Sequence, residues 1–136
     1  MPESLNNNIE KAPNPPRIAI IEDQEDWINE VKDISDEIGS EVISSAQNYQ
    51  EAIELIDHLG DQRIGIVLLD DGLGKRKVGS ELAEKIKEKI EQEGLNIRIL
   101  SFSDNETSYG DEATKKADFL NRDSAREIIF GTEDPS

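Results

Sequence analysis

The sequence predicts an α/β fold, a five-stranded parallel sheet doubly wound as a (βα)5 unit with helices on both faces. Three observations carry this. Short continuous apolar runs recur, with the length and composition of strands buried on both faces. Between them lie segments whose apolar residues repeat at spacings of three and four, the mark of helices with one buried side. The two kinds alternate along the chain, and such alternation implies parallel strands joined by crossovers that lay helices over both faces.

Residues 1–16, "MPESLNNNIEKAPNPP", are rich in Asn and Pro and nearly free of large apolar groups, so they read as a disordered tail. The domain is expected over 17–130, followed by a short C-terminal tail at 131–136. "RIAII" at 17–21 is the first strand, ending in "EDQED". Trp27, Ile28, Val31, Ile34 and Ile38 then form the buried stripe of a helix that Gly39 stops. "EVISS" is a weaker second strand. Asn48 caps the next helix, with Glu51 three residues on, an apolar face of Ala52, Ile53, Ile56 and Leu59, and Gly60 at its end. The third strand is "IGIVLLD" at 64–70, and the third helix starts near Ser80, presents Leu82, Ala83, Ile86 and Ile90, and closes at Gly94. "NIRILSF" is the fourth strand. A short, weakly amphipathic helix is expected over 106–117, a fifth strand at "DFLN" (118–121), and a last helix of about two turns at "SAREIIF".

Composition excludes several functions. Lys and Arg number 15 against 31 Asp and Glu, a net charge of -16, so a phosphate backbone is repelled and nucleic-acid binding by this domain is not expected. The absence of cysteine rules out disulfides, thiolate metal sites and cysteine nucleophiles. No stretch approaches the ~18 apolar residues of a membrane span, and the first residues lack a basic leader followed by an apolar stretch. The expectation is a cytoplasmic chain with no membrane contact.

In parallel α/β sheets, ligands bind beyond the carboxyl ends of the strands. Leaving those ends here are Glu22 and Asp23 after the first strand, Asp70 and Asp71 after the third, Ser101 and Ser103 at the fourth, and Asn121 and Arg122 after the fifth. Carboxylates without Cys or His neighbours suit a hard cation with oxygen ligands. Mg²⁺ typically takes one or two carboxylates, waters and a phosphate oxygen. Such an ion lets a weak carboxylate nucleophile meet a phosphoryl group, while a hydroxyl and a cation hold the remaining oxygens. Adjacent residues alternate sides of a strand, so Asp70 and Asp71 do not share a pocket, and Asp71 reads as the start of the loop. The basic "KRK" at 75–77 reads as a solvated loop, and His58 as a surface residue of the second helix.

Along 17–130 these residues resemble the receiver domain of two-component response regulators, the CheY-like type of the flavodoxin-like fold. "IIED" supplies the acidic pair Glu22 and Asp23, "VLLD" the acceptor Asp70, "RILS" the hydroxyl of Ser101, and "DFLNR" offers Arg122 where the family has lysine. Asp23 and Asp70 are 47 positions apart, Asp70 and Ser101 31, and Ser101 and Arg122 21, all close to the spacing in receivers. Phe119 falls where the family often has an aromatic switch residue.

The resemblance implies strand order 2-1-3-4-5, and Mg²⁺ held by Glu22, Asp23 and Asp70. It also implies phosphorylation of Asp70 by a histidine kinase or phosphotransfer protein, with Ser101 and Arg122 on the phosphoryl group. Ser101 and Phe119 would then relay the change to a surface that binds a downstream effector. No enzyme activity is implied beyond the domain's own phosphorylation and dephosphorylation.

The pattern is atypical in four places. Arg122 replaces lysine, whose compact charge an Arg fork does not reproduce. Asp123 stands where a cis-proline is usual, Phe102 where a small residue is usual, and the loop after Asp70 is one residue longer and lacks its proline. These departures fit an alternative, a phosphorylation-independent pseudo-receiver acting as a protein-interaction module. A metal-dependent phosphohydrolase ranks last, because Gly72 stands where an Asp-x-Asp motif needs its second acid.

Overall fold

The computed structural model describes residues 16–70, 73, 78–103, 112–115 and 119–130, the side chains at 102–103 and 112–115 excepted. The two expected tails lie outside these residues apart from Pro16, as do Asp71, the basic cluster at 75–77 and the side chain of Phe102.

Strand β1 (Arg17–Ile21) leads into α1 (Glu25–Ile38), β2 (Glu41–Ala46) and α2 (Tyr49–Asp57). Then come β3 (Ile66–Leu69), α3 (Gly79–Glu93) and β4 (Arg98–Ser103), followed by β5 (Glu112–Lys115) and α4 (Arg122–Phe130). The strands pair in parallel in the order β2-β1-β3-β4, with β5 beside β4.

The alternation within each run explains the double winding. Ile18, Ile20, Ile66, Leu68 and Leu100 project to one face, where Ile28 and Val31 of α1 and Ala125 and Ile129 of α4 cover them. Ala19, Ile21, Val67, Leu69 and Ile99 project to the other, beneath Leu55 and Ile56 of α2 and Leu82 and Ile86 of α3. Ile18–Ile21 and Val67–Leu69 are fully buried, as central strands with two covered faces must be.

The helix ends follow the local chemistry. Asn48 Oδ1 accepts from Glu51 N–H (2.8 Å) while Glu51 Oε1 accepts from Gln47 N–H (2.8 Å), a reciprocal cap. Gly39 (φ 87°) and Gly94 (φ 65°) end α1 and α3 in the left-handed region that glycine enters without strain.

The fifth strand is displaced from its expected place. Residues 112–115, read from the sequence as part of a helix over 106–117, form β5, with Leu100 opposite Glu112 and Ser103 opposite Lys115. Of the strand expected at 118–121, Asp118 lies outside the described residues, and 119–121 are instead the turn into α4. Phe119 there is fully buried in the cluster around Ile20, Leu68 and Leu100, and Asn121 Oδ1 accepts from Ser124 N–H (3.0 Å) as the cap of α4. A buried aromatic and a cap meet the needs of a helix start, whereas the edge strand rests on its backbone ladder.

Candidate functional site

The order β2-β1-β3 makes the gap between β1 and β3 the switch point of the sheet, where crossovers leave in opposite directions and a crevice opens at the carboxyl edge. Two backbone hydrogen bonds carry the ladder one residue beyond the strands at this point. Glu22 N–H donates to Ala46 O (2.9 Å), and Asp70 N–H donates to Ile21 O (3.0 Å). Strand geometry therefore positions both acids. Gln24, the N-cap of α1, donates its N–H to Glu22 Oε2 (3.1 Å), and its carbonyl accepts from Trp27 N–H (3.1 Å) and Ile28 N–H (3.3 Å). The first turn of α1 is thus tied to the Glu22 carboxylate.

Glu22 is fully buried, while Asp23 and Asp70 are half-buried. One carboxylate oxygen from each lies within 4.8 Å of the other two. Two full negative charges at that separation repel by about 3 kcal/mol at an effective dielectric of ~20. Three such groups, one of them sealed from water, favour a counter-cation, and an all-oxygen donor set selects a hard one. Direct Mg²⁺ ligands at ~2.1 Å stand at most about 4.2 Å apart, so the cluster suits one ion that contacts two carboxylates and reaches the third directly or through a retained water.

Ser101 lies opposite Leu69 in the β3–β4 register, one step short of Asp70, and is fully buried. Among the sequence-predicted residues, Glu22, Asp23 and Asp70 come together, Ser101 stands on the neighbouring strand, and Phe119 is sealed in the core. Arg122 is not brought to the cluster. Its Nε donates to Glu37 Oε1 (2.7 Å) in the last turn of α1. Glu37 lies twelve residues along α1 from Glu25, about 18 Å at 1.5 Å per residue, whereas Glu22 and Asp23 precede the start of that helix.

By register, the basic residue at the carboxyl end of β5 is Lys115. Sequence reasoning missed it because "EATK" has no apolar run to mark a strand. The Gln24 contact to Glu22 carries no side-chain signature either, being a backbone N–H.

No family model matches the sequence, and no curated protein matches it. Solved structures do. The signal receiver domain of a modulated diguanylate cyclase from Desulfovibrio desulfuricans superposes with a TM-score of 0.66 at 19% identity, over 86% of this chain and 92% of that one. A CheY-like response regulator receiver domain from Methylobacillus flagellatus gives 0.65 at 13%, over 88% and 100%. A mutant receiver domain of an Arabidopsis thaliana histidine kinase gives 0.67 at 11%, over 93% and 97%.

The chain has the CheY-like receiver fold.

At these identities the likeness concerns the fold, and the acidic cluster comes from the chain's own geometry. As a receiver fold, the chain sets Glu22, Asp23 and Asp70 at the carboxyl edge between its two central strands. Among the described residues, no helix is long and apolar enough to cross a membrane.

Proposed function

We infer that this chain is a signal receiver in which Asp70 accepts a phosphoryl group from a histidine kinase or phosphotransfer protein. The observation that carries this reading is the convergence of the three carboxylates within 4.8 Å at the switch point of a receiver fold. A carboxylate oxygen of Asp70 attacks phosphorus, the P–N bond of the donor phosphohistidine breaks, and its electron pair stays on the imidazole nitrogen. The product is an acyl phosphate. Glu22 and Asp23 would hold Mg²⁺ together with Asp70, and the ion would supply charge neutralisation to the incoming phosphoryl oxygens. Ser101, buried on β4, would donate its hydroxyl to one of them.

Beyond its own phosphorylation and dephosphorylation the domain has no turnover in this reading. Its output is a changed surface for an effector protein, relayed through Ser101 and Phe119. For the cation on the phosphoryl group, Arg122 is the sequence candidate, and Lys115 is the candidate from its position at the end of β5.

The test is incubation with a cognate phosphodonor and Mg²⁺, followed by intact-mass measurement and base treatment. One base-labile phosphoryl group is expected on the wild type and none on Asp70→Asn. Labelling of the variant at the wild-type rate refutes the assignment.

The ion pair of Arg122 with Glu37 favours a second reading, a pseudo-receiver whose surface binds partners without phosphorylation. Beryllofluoride with Mg²⁺, followed by amide NMR, separates the two. A working receiver shifts resonances around Ser101 and Phe119, and a silent one leaves them in place.

A further inference from the structure

Helix α4 differs from the other three described helices in how it is held. It has nine residues among those described, as α2 does, fewer than the ~12–15 an isolated helix needs to be marginally stable in water. Only Ala125 and Ile129 are buried along it, against Ala52, Leu55 and Ile56 on α2, which has the same length, and four residues on each of the longer α1 and α3. The two exposed large apolar residues among those described, Leu120 and Phe130, flank it at either end.

What apolar burial does not supply, two arginines from opposite directions do. Arg98, the first residue of β4, donates from Nη2 to Ile128 O (2.9 Å) and from Nη1 to Ile129 O (3.1 Å). These carbonyls lie in the last described turn of the helix, where intrahelical partners run out, and the guanidinium also faces the negative end of the helix dipole. The last turn of α4 has no basic residue of its own. At the other end, Arg122 pairs with Glu37 of α1. That pair is 61% and 49% exposed, so salt screens it and it contributes little. Of the two polar fastenings, the half-buried fork of Arg98 is the stronger.

We propose that α4 is a detachable strap: a helix that undocks as a unit from the α1 face of the sheet, held there by two buried side chains and by the guanidinium of Arg98 capping its carboxyl end. Undocking removes Ala125 and Ile129 from the cluster that contains Phe119, Ile20 and Leu68, and so uncovers the part of that apolar face that α1 and Phe119 do not cover. The strap works independently of Asp70, because neither fastening involves the carboxyl edge of the sheet.

Native-state hydrogen exchange on the full chain tests this. In the wild type, the amides of 125–130 exchange through an opening that leaves 18–21 and 66–69 protected. In Arg98→Met, which keeps the apolar stem but loses both hydrogen bonds, exchange at 125–130 rises about tenfold or more while β1 and β3 are unchanged. Arg98→Lys, with the charge but without the fork, falls between the two. Equal protection of α4 and the central strands in the wild type overturns the proposal without recourse to any variant. So does a rise in Arg98→Met that is shared equally by the whole sheet.

Discussion

Replacing Asp70 by Asn tests whether the carboxylate cluster is built around a cation. The substitution is nearly isosteric and removes one of three charges. Asp70 has two neighbours within 4.8 Å, and at that separation the two repulsions together come to about 7 kcal/mol at an effective dielectric of ~20, before solvent screening. Asp23 and Asp70 are half-buried, and solvent screening reduces exposed charge pairs to about 1 kcal/mol or less each, which leaves a net gain of about 1–2 kcal/mol. For a domain of this size that is a rise in Tm of about 3–8 °C in EDTA. Mg²⁺ at ten times its dissociation constant stabilises the wild type by about 1.4 kcal/mol, and the Asn variant by less, so added Mg²⁺ narrows the gap. Thermal unfolding followed by far-ultraviolet circular dichroism, with EDTA and with Mg²⁺, reads both quantities. Equal midpoints in EDTA, together with equal shifts by Mg²⁺, would refute the cluster as a cation site.

Two further outcomes are expected. Trp27 is the single tryptophan and lies in the turn of α1 whose cap contacts Glu22, so a Mg²⁺ titration changes its emission and Asp23→Asn abolishes the change; a flat wild-type titration counts against the site. Ser35 is fully buried in α1 with no hydrogen-bond partner for its Oγ among the described residues, so Ser35→Ala raises stability by about 1 kcal/mol in urea unfolding with an unchanged m-value, and a loss of stability would show that the hydroxyl is satisfied.

The central strands and their helices were legible because burial on two faces demands unbroken apolar runs and burial on one face demands a stripe. "IAII" and "IVLL" meet the first demand, and Ile28, Val31 and Ile38 the second. The three carboxylates were legible for the same reason: once the runs end at Ile21 and Leu69, the next residues must emerge at the carboxyl edge. Strand β5 was not. An edge strand is held by one ladder, and "EATK" satisfies that ladder with backbone groups that no side-chain pattern announces. The Phe-Leu pair at 119–120 imitates a strand, yet Phe119 fills the core at a helix start and Leu120 faces solvent.

Misplacing one edge strand has a specific chemical consequence. A strand ending at Asn121 puts Arg122 on the carboxyl edge with Ser101, and the proposed phosphoryl site then has an arginine where the receiver pattern calls for lysine. A strand ending at Lys115 gives that edge position to a lysine and releases Arg122 to fasten α4 to Glu37. The departure that most suggested a silenced receiver therefore depends on where β5 ends. Under the proposed phosphorylation of Asp70, loss of the positive charge at whichever of the two cationic positions serves the site slows phosphorylation or shortens the life of the acyl phosphate, and loss at the other leaves both unchanged. Lys115→Ala and Arg122→Ala, compared under one phosphodonor, make that distinction. Loss of function in Arg122→Ala alone would overturn the assignment to β5 and restore the arginine to the site.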